Sequence, residues 1–236
     1  MIYAEILAGG VGRRMGNTPM PKQFLMLGSR PIIIHTLEKF ILNSRFEKIF
    51  VNVPNDWINY TTDIIKKYIG ENKRVIVLEG GKDRNETLLA GPRFIEANYG
   101  LNDDDVIITH DAVRPFISHR IIEDNINAVL KFSGVDTVVP AFDTIVKSED
   151  GETISEIPIR DFMYQGQTPQ SFNCKTLINC YEKLSEDERI ILSDACKILV
   201  LAGVKVKLVD GEVFNSKITT QYDLKVAENM LGEEKI

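Results

Sequence analysis

Cysteine is scarce in this chain: Cys174, Cys180 and Cys196 are three in 236 residues, and none forms a C-x-x-C pair. An odd count fits no complete disulfide framework, so a reducing compartment, the cytoplasm, is expected. Long apolar runs are missing too. No stretch reaches the ~18 consecutive apolar residues of a membrane span. The opening Met1-Ile-Tyr-Ala-Glu-Ile-Leu has no basic region ahead of an apolar run of signal-peptide length. Neither a membrane span nor a secretory signal is expected. Positive charge is in deficit, with 28 Lys and Arg against 34 Asp and Glu and a formal net charge of -6. That argues against nucleic-acid partners and anionic membrane surfaces, both of which need a positive field. Cations for a small anionic substrate must therefore be gathered locally. The three histidines show no zinc-like spacing, and no Ser–His–Asp set, internal repeat or low-complexity segment is evident.

What remains is an ordinary globular composition, 44% hydrophobic and 26% charged. The length suits one large α/β domain over 1–236. A chain of this size buries roughly 70% of its unfolded surface, enough to fold without disulfides or a structural metal. Short β-rich apolar runs alternate with longer amphipathic ones. Strands are expected over 2–7, 48–53, 74–78, 106–109, 135–140 and 205–209. Helices are expected over 31–42, 57–69, 85–98, 119–132, 175–184, 193–202 and 220–231. This alternation predicts right-handed βαβ units and a mostly parallel sheet. The pattern breaks at 143–170. There, short strands at 143–147, 153–157 and 162–165, with turns at Glu149-Asp150-Gly151 and Ile157-Pro158, predict a hairpin-like excursion.

The first strand runs into Leu7-Ala-Gly-Gly-Val-Gly-Arg-Arg-Met-Gly. Ligands of open α/β sheets sit beyond the carboxyl ends of the strands, where glycines let backbone N–H groups approach phosphate oxygens. The dinucleotide pattern G-x-G-x-x-G would need glycine where Met15 stands, which disfavours a dinucleotide-dependent reductase, and the Walker A ending G-K-[ST] is absent. This loop instead carries Arg13 and Arg14, with Pro21-Lys22-Gln23 close behind. Three cations beside one glycine loop suit a triphosphate better than a single phosphate. Asp111 closes the 106–109 strand at the same kind of edge, where a carboxylate serves a Mg²⁺ ion or an acceptor hydroxyl. His110 beside it reads as a structural hydrogen-bonder.

Leu-Ala-Gly-Gly-x-Gly-x-Arg-Met followed by Pro-Lys-Gln-Phe resembles the signature of sugar-phosphate nucleotidyltransferases. Within them it is most similar to the cytidylyltransferases that act on methylerythritol phosphate and on ribitol phosphate. Gly80-Gly-Lys-Asp-Arg, His110-Asp-Ala-Val-Arg-Pro-Phe, Thr168-Pro-Gln-Ser-Phe and Ser216-Lys-Ile-Thr follow in the family's order, so the resemblance spans nearly the whole chain. It implies a Rossmann-like nucleotidyltransferase sheet with a protruding β-arm, at about 143–170, through which a homodimer forms by arm exchange over the neighbouring site. It implies CTP and a polyol phosphate as substrates and Mg²⁺ as cofactor. By this resemblance Arg14, Lys22 and Lys217 are catalytic. CTP is held by Leu7, Ala8, Gly9, Gly10, Gly12, Gly80, Gly81, Asp83, Arg84, Thr87, Asp111 and Ala112, and Asp111 serves the metal. The acceptor meets Arg114, Thr144, Arg160, Thr168 and Ser193, with Thr144, Arg160 and Thr168 reaching the other protomer's acceptor.

The chemistry asks little of side-chain bases. The acceptor's phosphate monoester has a second pKa near ~6 and is largely dianionic at neutral pH. Repulsion between two anions and charge at the α-phosphorus are the obstacles, so positioning and electrostatics carry the reaction. Gln165, Gln167 and Ser193 suit a hydroxyl-rich acceptor, and these segments resemble the ribitol enzymes, implying ribitol 5-phosphate and CDP-ribitol for teichoic acid synthesis. Methylerythritol 4-phosphate in isoprenoid precursor synthesis is the alternative acceptor. A non-catalytic nucleotide-binding subunit is a further alternative, opposed by the joint presence of Arg14, Lys22, Asp111 and Lys217.

Overall fold

The computed structural model describes residues 1–10, 15, 20–192 and 194–233. In chain order its elements begin with β1 (Ile2–Leu7), β2 (Met26–Leu27), β3 (Arg30–Pro31), α1 (Ile32–Ile41) and β4 (Lys48–Val53). They continue with α2 (Ile58–Tyr68), β5 (Val75–Glu79), α3 (Arg84–Tyr99), β6 (Val106–Asp111), α4 (His119–Val129) and β7 (Gly134–Pro140). The last are β8 (Tyr164–Asn173), α5 (Cys174–Lys183), α6 (Glu186–Ile190), α7 (Cys196–Leu201), β9 (Lys207–Asp210) and α8 (Gln221–Glu233).

The main sheet has the order β5-β4-β1-β6-β8-β7-β9. Its pairs are parallel except those made by β8, which is antiparallel to both β6 and β7. The central strands are apolar on both faces because helices cover both. Ala4 and Ile6 point into a core built with Ile33, Leu37 and Phe40 of α1, Ile64 of α2 and Ile122 of α4. Tyr3 and Ile107 point the other way, into a core with Leu88 and Leu89 of α3, Leu177 of α5 and Leu199 of α7. Helix starts follow local chemistry. The side chains of Asp83, Ser118 and Asn173 accept backbone N–H bonds at the first turns of α3, α4 and α5.

Two expectations need correction. The arm is shorter than 143–170, because Tyr164–Asn173 forms β8 inside the main sheet. Pro169 masks this strand in the sequence. The register skips between Asp136 and Val138, with Gln170 opposite the first and Gly166 opposite the second, and a bulge is where a sheet tolerates proline. The excursion proper covers residues 141–163, closed at its base by Ala141 N–H on the Met163 carbonyl at 2.9 Å. The strands expected at 143–147 and 153–157 reduce to one bridge between Lys147 and Glu156, while the one expected at 162–165 survives in part as the start of β8. The second correction is α6, which at five residues is too short for apolar periodicity. Ser185 and Glu188 form a reciprocal capping box that starts it.

Candidate active site

β4, β1 and β6 end level with one another, with Asn52 opposite Leu7 and Leu7 opposite Asp111. The chain continues the ladder past them, Ala8 N–H bonding the Asn52 carbonyl and Ala112 N–H bonding the Leu7 carbonyl. The carboxyl edge thus opens into a cleft of about 520 Å³, a size suited to a small-molecule ligand. Its walls come from three strand ends, namely Leu7–Gly10 after β1, Gly81–Arg84 with Thr87 after β5, and Asp111–Val113 after β6, plus Lys22, Gln23, Lys217 and Thr219.

The Pro21-Lys22-Gln23-Phe24 run becomes a short 3₁₀ turn over Lys22–Phe24. Phe24 anchors it, fully buried and stacked on Trp57 at 4.9 Å between ring centres. Gln23 Nε2 then donates to the Ala8 carbonyl at 2.6 Å, tying the turn to the glycine loop. Lys22 Nζ donates to the Ile218 carbonyl at 3.0 Å, which brings it beside the segment carrying Lys217. Ile218 N–H in turn bonds the Val113 carbonyl at 2.9 Å. Residues distant in sequence are thereby stitched to one wall.

Across the cleft, α3 starts at Asp83, whose carboxylate accepts the N–H groups of Asn85 and Glu86. Thr87 Oγ1 donates back to the Asp83 carbonyl at 2.7 Å. Gly9 and Gly80 lie close over Thr87. A Cβ on either would lie 3.3 Å or 3.2 Å from the Thr87 hydroxyl. Arg84 is exposed at the helix start, and its charge reaches Asp111.

Asp111 is buried among cations. Its Oδ2 is 2.9 Å from Lys217 Nζ and 3.3 Å from Arg114 Nε. Burial would raise its pKa, but Lys217, Arg114 and Arg84 together hold the carboxyl well below the usual carboxylate range. It stays ionised at any ordinary pH. Behind it, Asp111 N–H donates to Thr168 Oγ1 at 3.1 Å, and Thr168 Oγ1 lies 3.0 Å from His110 Nδ1. His110 Nε2 faces the Arg114 carbonyl at 3.1 Å. The carbonyl can only accept, so Nε2 carries the proton and Nδ1 accepts from the Thr168 hydroxyl. Burial, against weaker opposing contacts, lowers the His110 pKa to about 4, in keeping with that neutral ring.

The structure sorts the expected residues unevenly. Lys22, Lys217, Leu7, Ala8, Gly9, Gly10, Gly81, Asp83, Arg84, Thr87, Asp111 and Ala112 all line the one cleft. Gly80 stands just behind it, its N–H on the Val53 carbonyl. Arg14, Gly12 and Ser193 lie outside the described residues. Thr168 and Arg114, expected at the acceptor, both contact Asp111. Thr168 is 3% exposed, and its hydroxyl bonds the Asp111 N–H and faces His110 Nδ1. Arg114 is held by Asp111 and by the Asn215 carbonyl at 2.7 Å. Thr144 and Arg160 are exposed on the excursion and take no part in this chain's own cleft. The cleft also recruits Gln23, Lys82, Val113 and Thr219, which the sequence reading left out, although each sits inside or next to a quoted motif.

A glycine edge, clustered cations and an ionised Asp111 at the end of a parallel strand suit a site for activated phosphate esters. The family model for IspD, 2-C-methyl-D-erythritol 4-phosphate cytidylyltransferase, matches residues 2–233, and the chain belongs to that family of cytidylyltransferases. It is 60% identical over 231 residues to the ribitol-5-phosphate cytidylyltransferase of Lactiplantibacillus plantarum, covering 98% of each chain. Among solved structures it is similar to 4-diphosphocytidyl-2C-methyl-D-erythritol synthase from Anaerococcus prevotii, at TM-score 0.82 and 30% identity over 98% of this chain and 96% of that one. The 2-C-methyl-D-erythritol 4-phosphate cytidylyltransferase of Francisella tularensis follows at TM-score 0.78 and 26% identity, covering 96% and 97%.

Proposed function

We propose that this protein transfers the cytidylyl group of CTP to ribitol 5-phosphate, giving CDP-ribitol and pyrophosphate. The observation that carries the acceptor is the 60% identity, over 98% of both chains, with a ribitol-5-phosphate cytidylyltransferase. In the reaction a phosphate oxygen of the acceptor bonds to the α-phosphorus of CTP. The bond from that phosphorus to the bridging oxygen breaks, and pyrophosphate leaves with the electron pair. The attacking monoester is already dianionic, so no side chain needs to remove a proton. Lys22 and Lys217, on one wall, offset the charge of the two anions, and the glycine edge offers close backbone approach. Arg14 is assigned to the triphosphate on the sequence motif alone.

Asp111 suits a Mg²⁺ ion bound mainly by triphosphate oxygens. It is an ionised carboxylate at the cleft wall, and Mg²⁺ at such sites takes one or two carboxylates with the phosphates. Bound there, the ion would neutralise phosphate charge. Asp111 itself holds Lys217 in place through its 2.9 Å ion pair.

A homodimer completes the reading. The excursion exposes Phe142, Ile157, Ile159 and Phe162, the last 71% accessible, an apolar face that supports a second copy as its cover. Arg160 and Thr144 on the same excursion would then meet the acceptor of the second copy, a guanidinium matching its phosphate. The three cysteines are free and buried, which suits a reducing compartment, and no helix among the described residues is long and apolar enough to cross a membrane. CDP-ribitol would serve teichoic acid synthesis.

Pyrophosphate release decides the reading, measured with CTP, Mg²⁺ and either ribitol 5-phosphate or methylerythritol 4-phosphate. Release with ribitol 5-phosphate alone is expected, and EDTA should abolish it. Release with methylerythritol phosphate alone would overturn the acceptor assignment and keep the chemistry.

A further inference from the structure

β1 sits in the middle of the sheet, yet one of its core positions is an acid. Glu5 is completely buried, on the face that packs against α3. Its Oε1 accepts from Asn52 Nδ2 at 2.6 Å and from the Gly91 N–H at 2.8 Å. The same Asn52 Nδ2 donates to the Thr87 carbonyl at 2.8 Å. Thr87 and Gly91 are four apart, so these are the backbone groups that a helix would ordinarily join to each other. Glu5 and Asn52 therefore grip one turn of α3 from the sheet, at the carbonyl of Thr87 and the N–H of Gly91. Gly91 permits it, since a Cβ there would fall 2.6 Å from Glu5 Oε1 and 2.9 Å from Ile107 Cδ1.

That turn is the nucleotide wall. Thr87 lines the cleft and presses against Gly9 and Gly80, and Asn52 also accepts, through its backbone carbonyl, the N–H of Ala8 on the opposite wall. We propose that Glu5 and Asn52 form a buried strut that positions the Thr87 wall and the Ala8 edge from behind, setting CTP affinity without touching CTP. The inference rests on CTP occupying this cleft.

The strut works with Glu5 protonated. Burial raises its pKa to about 8, against the lowering effect of the Gly91 and Asn52 bonds. Glu5 Oε2 and Asn52 Oδ1 are both buried without a partner, two acceptors beside one contact, and a proton on the carboxyl turns one of them into a donor. The Cys174 thiol at the start of α5 lies near enough for its charge to couple to Glu5, and burial keeps it protonated. The other polar groups packed on it are Asn52 from β4 and Gly91 from α3.

The test compares wild type with Glu5→Met, Glu5→Gln and Asn52→Leu, by steady-state kinetics and by calorimetric titration with Mg-CTP. Glu5→Met and Asn52→Leu should raise the CTP KM and Kd about 5- to 20-fold, with kcat and the acceptor KM within about twofold. Glu5→Gln keeps the acceptor and adds a fixed donor, so it should retain the wild-type CTP Kd at pH 7. Above about pH 8 wild type should lose CTP affinity as the carboxyl ionises, and Glu5→Gln should not. A CTP Kd in Glu5→Met equal to wild type, or a Glu5→Gln as weak as Glu5→Met, would overturn the strut. If Glu5→Met and Asn52→Leu fail to fold, the pH comparison of wild type with Glu5→Gln decides alone, and parallel pH profiles would overturn it. Absence of CTP binding by wild type would sink the cleft assignment instead.

Discussion

Asp111 shows how a single side chain depends on the residues packed around it. Its backbone rests on Thr168, its carboxylate on Lys217 and Arg114, and Thr168 in turn on a neutral His110. Replacing Thr168 with Val keeps the shape and removes the hydroxyl. That leaves the Asp111 N–H and His110 Nδ1 unpaired, which should cost about 1–3 kcal/mol in urea unfolding. Thr168→Ser should recover most of it. Lys217→Ala removes a cation from the reacting wall and should lower pyrophosphate release at least about 100-fold. His110 predicts a pH dependence of stability. Its folded pKa lies near 4 against 6.5 for the free side chain, so the unfolded chain takes up the proton first as pH falls. The stability contribution is complete above pH 6.5 and falls by about 1.4 kcal/mol per pH unit down to about 4. His110→Gln should flatten that limb of the urea midpoint against pH. Lys22, Lys217 and Asp111 were legible as charges in motifs. The roles of Thr168 and Arg114 were not, because burial and the bond from position 168 to position 111 exist only once β6 and β8 pair.

At the scale of elements, the α3 start is where local chemistry and function coincide. A Cβ on Gly81 would sit 2.1 Å from Glu86 Cβ and 2.6 Å from the Glu86 carbonyl carbon, so Gly81→Ala must push the turn off the helix. We expect a CTP KM raised at least about tenfold with little change in the acceptor KM. The strands and helices with clear periodicity appear within one to three residues of their expected bounds, from β1 at Ile2–Leu7 to α5 at Cys174–Lys183. The 166–173 part of β8 was hidden because a strand rule penalises Pro169, whereas the sheet absorbs it at a bulge. α6 was hidden because five residues give no period.

At the scale of the whole molecule, the excursion over residues 141–163 marks the part of the chain with no core of its own. Replacing residues 144–160 by a short Gly-Ser linker spares both faces of the sheet. The variant should therefore unfold at nearly the wild-type temperature, run as a monomer in sedimentation, and bind Mg-CTP while losing turnover. A variant that stays dimeric would remove the arm from the interface.

The sequence alone determined the alternation of strands and helices, and hence the sheet and its covered faces, because periodicity and caps are local physics. It also determined the glycine edge and the charges placed at strand ends, since those motifs sit next to the strands that carry them. Only the tertiary structure decided that the 164–173 segment enters the sheet, that Arg114 and Thr168 pack against Asp111, and that an acid at position 5 is bound into α3. Each depends on which side chains are deprived of water and which partners then lie within hydrogen-bond reach, and that is set by how strands far apart in sequence come to lie side by side.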